Sequence, residues 1–270
     1  MAESFAAFQF AGWERAAPTY DATWAGLTRL FVPSLLEAAG AGPGTRLLDV
    51  ACGPGYVSAA ATRLGATAVG VDFSPTMVRL ARERHPRLTF ETGNAEALPF
   101  PARSFDAVAM GFALLHLPHP ERGLSEAARV LRPGGRYAFT VWAGPEESPA
   151  DRVVEAVVEE FANLDVPLPT GPPRFGFGSM DEARATLAGR GFRAESVAVR
   201  SVQVTWRIAS IDFLFDAERH GGVRMAGLLA AQTPEVLRQI HRALDERLAA
   251  FRVGDGLALP YTAHVVSAGV

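Results

Sequence analysis

Asp49, Gly53, Gly55 and Asp72 are the residues whose types and spacing could do chemistry. Asp49 lies in a short apolar run, Leu47-Leu48-Asp49-Val50, that breaks into Ala51-Cys52-Gly53-Pro54-Gly55. A helix-like segment from Tyr56 to Leu64 follows, and a second apolar run, Val69-Gly70-Val71-Asp72, ends in another carboxylate. Glycines at a strand-to-helix turn let a ligand approach the backbone, and a carboxylate ending the next strand is placed to bind a ribose diol. The pattern suits an adenosine-type cofactor. The glycine pair alone fits an ordinary tight turn equally well, so the surrounding residues must decide.

Two of them favour S-adenosylmethionine over a nicotinamide or flavin. The dinucleotide fingerprint needs a third glycine for close helix–strand packing beneath a pyrophosphate. Here that place is held by Ser58. Asp49 also stands four residues before the first glycine, which suits a ligand carrying an ammonium group and no phosphate.

The elements that must position these residues alternate, as a doubly wound α/β sheet requires. Strands are expected at 45–51, 67–72, 88–92, 105–111 and 135–142, and helices at 56–65, 75–84 and 121–131. In the last helix Leu124, Ala127, Ala128 and Leu131 share one face. Arg132-Pro133-Gly134-Gly135 should then stop it with a turn. A further helix is expected at 180–190, closed by Gly191. From Phe192 to Trp206 the chain reads as a strand whose apolar phase slips, from Val197 and Val199 to Val202, Val204 and Trp206. A bulge or bend near Arg200 or Ser201 would account for it. The last strand is expected at 257–267. Between these two strands the chain reads as helical, with Thr233 as cap, Pro234 in the first turn, and Leu237, Ile240, Leu244, Leu248 and Phe251 in one stripe.

Composition excludes several classes. The 270 residues, 49% apolar, can bury a full core. A formal net charge of -3 gives no electrostatic reason to expect nucleic acid. No lysine occurs, which removes Schiff-base and Walker-type lysine chemistry. Cys52 is the sole cysteine, so no internal disulfide is possible, and a reducing cytoplasm is the expected compartment. The N-terminus reads as no signal peptide, and no apolar run is long enough for a bilayer.

The blocks LLDVACGPGYVS (47–58), VGVDFSPTMVRLAR (69–82), GNAEALPFPARSFDAVAMGFALLHL (93–117) and EAARVLRPGGRYAFTVW (126–142) resemble, in order and spacing, the class I S-adenosylmethionine-dependent methyltransferases. The likeness is greatest to the ubiquinone/menaquinone and small-molecule branch, and covers about a third of the chain strongly. It implies a doubly wound, seven-stranded, mostly parallel sheet of order 3-2-1-4-5-7-6 with its last strand antiparallel. It also implies methyl transfer to a small-molecule acceptor, oxygen first and then carbon or nitrogen, in secondary or quinone-type metabolism. The implied organisation is an N-terminal helical segment over the cofactor (1–43), a Rossmann-like core (44–206), a helical cap (207–252) and a final core strand (253–270). Asp49, Ala51, Gly53 and Gly55 would cradle the methionine moiety. Asp72 would grip the ribose, and Asn94, Ala95 and Glu96 would border the adenine. Tyr20, Phe73, Met77, Gly111 and Phe112 complete the expected cofactor set. His116, just beyond the fourth strand, is the candidate general base, or else lines the pocket. With Pro118 between His116 and His119 and no ligand cluster around them, no metal is expected. The rival readings are a non-catalytic S-adenosylmethionine-binding protein and a nicotinamide-dependent reductase.

Overall fold

The computed structural model describes residues 4–270. Along the chain the elements are α1 (Phe5–Ala22), α2 (Ala25–Thr28), α3 (Val32–Ala39), β1 (Arg46–Val50), α4 (Tyr56–Arg63), β2 (Thr67–Asp72), α5 (Pro75–Arg84), β3 (Thr89–Thr92) and β4 (Phe105–Gly111). Then come α6 (Pro120–Val130), β5 (Leu131–Trp142), α7 (Pro149–Phe161), α8 (Met180–Leu187), β6 (Ala198–Ile208), α9 (Ile211–His220), α10 (Arg224–Ala230), α11 (Pro234–Arg247), β7 (Arg252–Val253) and β8 (Gly256–Gly269). The sheet order is β3-β2-β1-β4-β5-β8-β6. β1 to β5 are parallel neighbours, and β8 runs antiparallel to β5. The expected order holds, with one correction. A two-residue strand, β7, pairs with the start of β8, so the sheet has eight strands rather than seven.

The chain forms two compact units. The core unit comprises Phe31–Trp142, Gly171–Val202 and Ala263–Val270. The period of two along β1 sends Leu48 and Val50 to one face and Leu47 to the other. The first face packs with Val108, Met110, Phe139 and Val141 against Leu124, Ala127 and Val130 of α6. The second carries Ala68, Ala107, Ala109 and Ala138, whose small side chains leave room for Leu35, Leu36 and Ala39 of α3. Asp49, by the same alternation, belongs to the Leu47 face.

Two local details depart from simple expectation. Arg132-Pro133-Gly134-Gly135 does end α6, yet it continues as the start of β5. It faces Asp106 alone, because Phe105 pairs with Leu131 and Ala107 with Arg136. Gly134 takes a left-handed φ of 81° there, and Arg132 reaches Asp106 at 2.6 Å. β6 starts only at Ala198, after a short turn at Ala194–Ser196. Its alternation of burial slips at Arg200 and Ser201, exposed in succession, where the sequence phase changes.

The helical unit holds the described residues up to Leu30, Ala143–Thr170 and Gln203–Thr262. The 207–252 segment therefore does not stand by itself. Trp24 stacks on Trp206 at 5.2 Å and donates its indole N–H to the Ala217 carbonyl at 2.9 Å. Gln232 of this unit bonds Asn163 through both amide atoms. Thr233 caps α11 as expected, accepting from the Val236 amide, and Ile240, Leu244 and Leu248 of the expected stripe are buried. Among the described residues no helix is long and apolar enough to cross a membrane.

Candidate cofactor and catalytic site

The strand order puts the segments that follow β3, β2, β1 and β4 along one edge of the core sheet, since these four strands are adjacent and parallel. Open α/β sheets bind ligands at that carboxyl edge. The segments carry Asn94 to Glu96, Asp72 to Ser74, Ala51 to Gly55, and Phe112 to His116 respectively. Tyr20 belongs to the helical unit, where its hydroxyl shares a 3.0 Å hydrogen bond with Thr28 and its ring meets Trp13 edge-on.

The loop after β1 is built on alternate left-handed residues: Ala51 at φ 54°, Gly53 at 50° and Gly55 at 82°. Ala51 has a side chain and still adopts this costly conformation, the kind of strain that concentrates at functional sites. Asp72 clasps the loop. Its Oδ2 accepts the Gly53 amide at 2.8 Å and its Oδ1 the Ser74 amide at 2.9 Å. Ser74 in turn caps α5 through the Met77 amide. A methyl group added at Gly53 would meet only the Met77 sulfur, at 3.9 Å, so this face of the loop is open. Gly55 differs: a Cβ there would lie 2.6 Å from the Phe90 ring and 3.1 Å from His85. Its lack of a side chain is required by packing behind the loop.

Asp49 is 1% exposed. Its Oδ2 accepts both the Ser58 amide, at 2.9 Å, and the Ser58 hydroxyl, at 2.7 Å, while Oδ1 has no hydrogen-bond partner. Burial pushes its carboxyl up to about 7, opposed by the Ser58 bonds and reinforced by the charge of Asp72. Cys52 is buried between them. Desolvation first, and then Asp49 and Asp72, hold its thiol well above the usual range, which fits a small buried hydrophobe better than a nucleophile.

Beyond β3, Asn94 folds an Asx-type turn by accepting the Glu96 amide at 2.9 Å, and Ala95 is buried. Glu96 Oε1 accepts the His119 amide at 2.6 Å, tying this loop to the start of α6. Beyond β4, Gly111 leads into Phe112, which holds a φ of 55° and donates its amide to both the carbonyl and the hydroxyl of Thr140, each at 3.1 Å. The Phe112 ring stacks on Trp142 at 4.1 Å, and Phe31 meets both rings edge-on. His116 closes a 3-10 turn, half-buried, its amide bonded to the Ala113 carbonyl. Sequence reasoning missed Trp142, Phe31 and Thr140 as members of this edge. It noted Ser58 only as a missing glycine, although a serine at that place was a legible sign of a partner for Asp49.

A family of methyltransferase domains matches residues 48–139, the segment from β1 to the middle of β5. Among curated proteins, a demethylmenaquinone methyltransferase of Renibacterium salmoninarum is 39% identical over 137 residues, 49% of this chain. The chain spans 58% of that relative's length, less than two thirds. Among solved structures, the YcgJ protein of Bacillus subtilis aligns with a TM-score of 0.55 at 20% identity, over 88% of this chain and 97% of its own. A phosphoethanolamine N-methyltransferase of Haemonchus contortus, solved with S-adenosylhomocysteine, aligns with a TM-score of 0.57 at 19% identity. That alignment covers 99% of this chain and 60% of the other. At such identities these structures establish the fold.

The residues along this edge of the sheet fit an S-adenosylmethionine-type ligand on three counts. The Gly53 face of the loop is open, the clasping carboxylate of Asp72 ends β2, and Asp49 keeps an unpartnered buried oxygen. The fixed charges of this edge are carboxylates, which suits a ligand bearing a sulfonium and an ammonium group.

Proposed function

We propose that this chain transfers a methyl group from S-adenosylmethionine to a small-molecule acceptor, with oxygen the first candidate for the receiving atom and carbon or nitrogen after it. The observation that carries the reading is the clasp of Asp72 on the Gly53 amide, beside the left-handed loop, at the carboxyl edge of the sheet. Asp49, Ala51, Gly53 and Gly55 hold the methionine part, Asp72 the ribose, and Asn94, Ala95 and Glu96 the adenine. Phe73, Met77, Gly111 and Phe112 complete the wall. The relatives named for demethylmenaquinone support a quinone-type acceptor. When bound, the cofactor supplies an electrophilic methyl group, so the protein's task is to align the acceptor and exclude water. His116 takes the proton of a hydroxyl acceptor.

The test is incubation with methyl-labelled S-adenosylmethionine and a panel of demethylated naphthoquinols, phenols and amines, read by mass spectrometry of the products. A labelled product whose fragmentation places the methyl on oxygen, carbon or nitrogen establishes the reaction and its atom. Tight S-adenosylhomocysteine binding with no transfer to any acceptor would instead favour a non-catalytic binding protein.

A further inference from the structure

We propose that Ser58 is a positioning residue that, through Asp49, makes cofactor binding proton-linked and sets the pH at which the site accepts the cofactor's ammonium group. This rests on the cofactor reading above. The geometry is a buried carboxylate held on one side only. Both Ser58 donors meet Oδ2, and Oδ1 is left without a partner in a place solvent does not reach. A carboxylate so placed is costly to ionise until a positive charge arrives. Direct contact is not needed, because charges interact strongly across a poorly solvated loop.

The groups around Asp49 have defined parts. From β2, Asp72 adds a second negative charge and disfavours ionisation. From the loop, Cys52 is held as a neutral thiol. β4 pairs with Asp49 through Ala109, and α4 presents Ser58, neither of them charged. His85, beside Gly55, is of the residue type that titrates near neutrality, so a variant rather than pH alone must assign the step.

The linkage has a definite sign. The ammonium group favours the ionised carboxylate, so binding expels a proton from Asp49. Affinity should rise with pH, by at most about tenfold per unit, until pH is near 7, and level off above it. Ser58→Ala removes one hydrogen bond to the charged form and should move that midpoint up by about one to two pH units. Asp49→Asn should give weaker binding with no such step.

The experiment is titration calorimetry of the full chain with S-adenosylhomocysteine, which carries the same ammonium group, from pH 5 to 9. Two buffers of different ionisation heat report the protons released. The expected result is net proton release below the midpoint in wild type, its displacement in Ser58→Ala, and its absence in Asp49→Asn. Measurable binding with a flat pH profile, or the same step in Asp49→Asn, would overturn this inference and leave the cofactor reading intact. No binding by wild type at any pH would overturn the cofactor reading itself.

Discussion

Asp72 shows how one residue can carry both a structural and a binding duty. Its oxygens accept the backbone amides of Gly53 and Ser74, and the same carboxylate is proposed to hold a ribose hydroxyl. Hydrogen bonds to a charged group contribute about 1.5–3 kcal/mol each. Asp72→Ala should therefore weaken S-adenosylhomocysteine binding by about tenfold or more, measured by calorimetry; wild-type affinity would remove Asp72 from the site. His116 is tested by kinetics. If it takes a hydroxyl proton, His116→Ala should lower kcat by about 10²- to 10⁴-fold, with cofactor affinity unchanged and the rising limb of the pH–rate profile lost. A variant that keeps kcat and raises KM would make His116 a pocket wall. At this scale the cofactor residues were legible because their chemistry demands fixed types at fixed strand ends. The aromatic group of Phe31, Phe112 and Trp142 was not, since aromatic side chains 30 residues apart or more meet only once α3, β4 and β5 are assembled.

At the scale of elements, the loop after β1 depends on what stands behind it. Sequence reasoning places Gly55 against a ligand, whereas its missing side chain makes room for Phe90 of β3 and for His85. Gly70 on β2 yields to the same ring, a Cβ there falling 2.5 Å from it. Gly55→Val would combine this clash with a φ of 82° that a branched residue resists. We expect a loss of about 2 kcal/mol or more in thermal or denaturant unfolding, in ligand-free protein as well as bound. Unaltered stability with lost affinity would mean that the ligand, and not Phe90, requires a glycine at this position. The strands themselves were readable from apolar period and turn residues, and so was the slip at Arg200 and Ser201. The bulge at Arg132 to Gly135 was not. Its Pro-Gly-Gly signals a turn equally well, and only pairing with β4 on either side of Asp106 makes it strand.

For the whole molecule, the sheet order follows from a recurrent topology, while the partition into units does not. Sequence reasoning separates residues 207–252 from the N-terminal helices, yet both join Ala143–Thr170 in one compact unit. Their contacts, such as the Trp24 indole with the Ala217 carbonyl and Val223 filling the space above Gly12, bridge segments with no shared local signal. The proposal that 207–252 acts as a cap is tested by hydrogen exchange with S-adenosylhomocysteine and the acceptor identified by the transfer assay. Ordering of a cap should slow exchange across 207–252 more than in the outer part of the sheet. Protection confined to 47–116 would make the segment scaffold.

The indole bond from Trp24 to Ala217 joins residues 193 positions apart. On a ribosome adding about 5–20 residues per second, the N-terminal helix must wait roughly 10–40 s before that partner exists. The antiparallel neighbour of β5 is likewise distant in sequence, Ala263 to Gly269. The parallel strands β1 to β5 can assemble earlier, but one edge stays open until residues 263–269 have been made. The interval in which this protein is most exposed to misassembly is thus set by translation speed, and a chain stalled near residue 200 would present both an uncovered strand and an unmated aromatic helix.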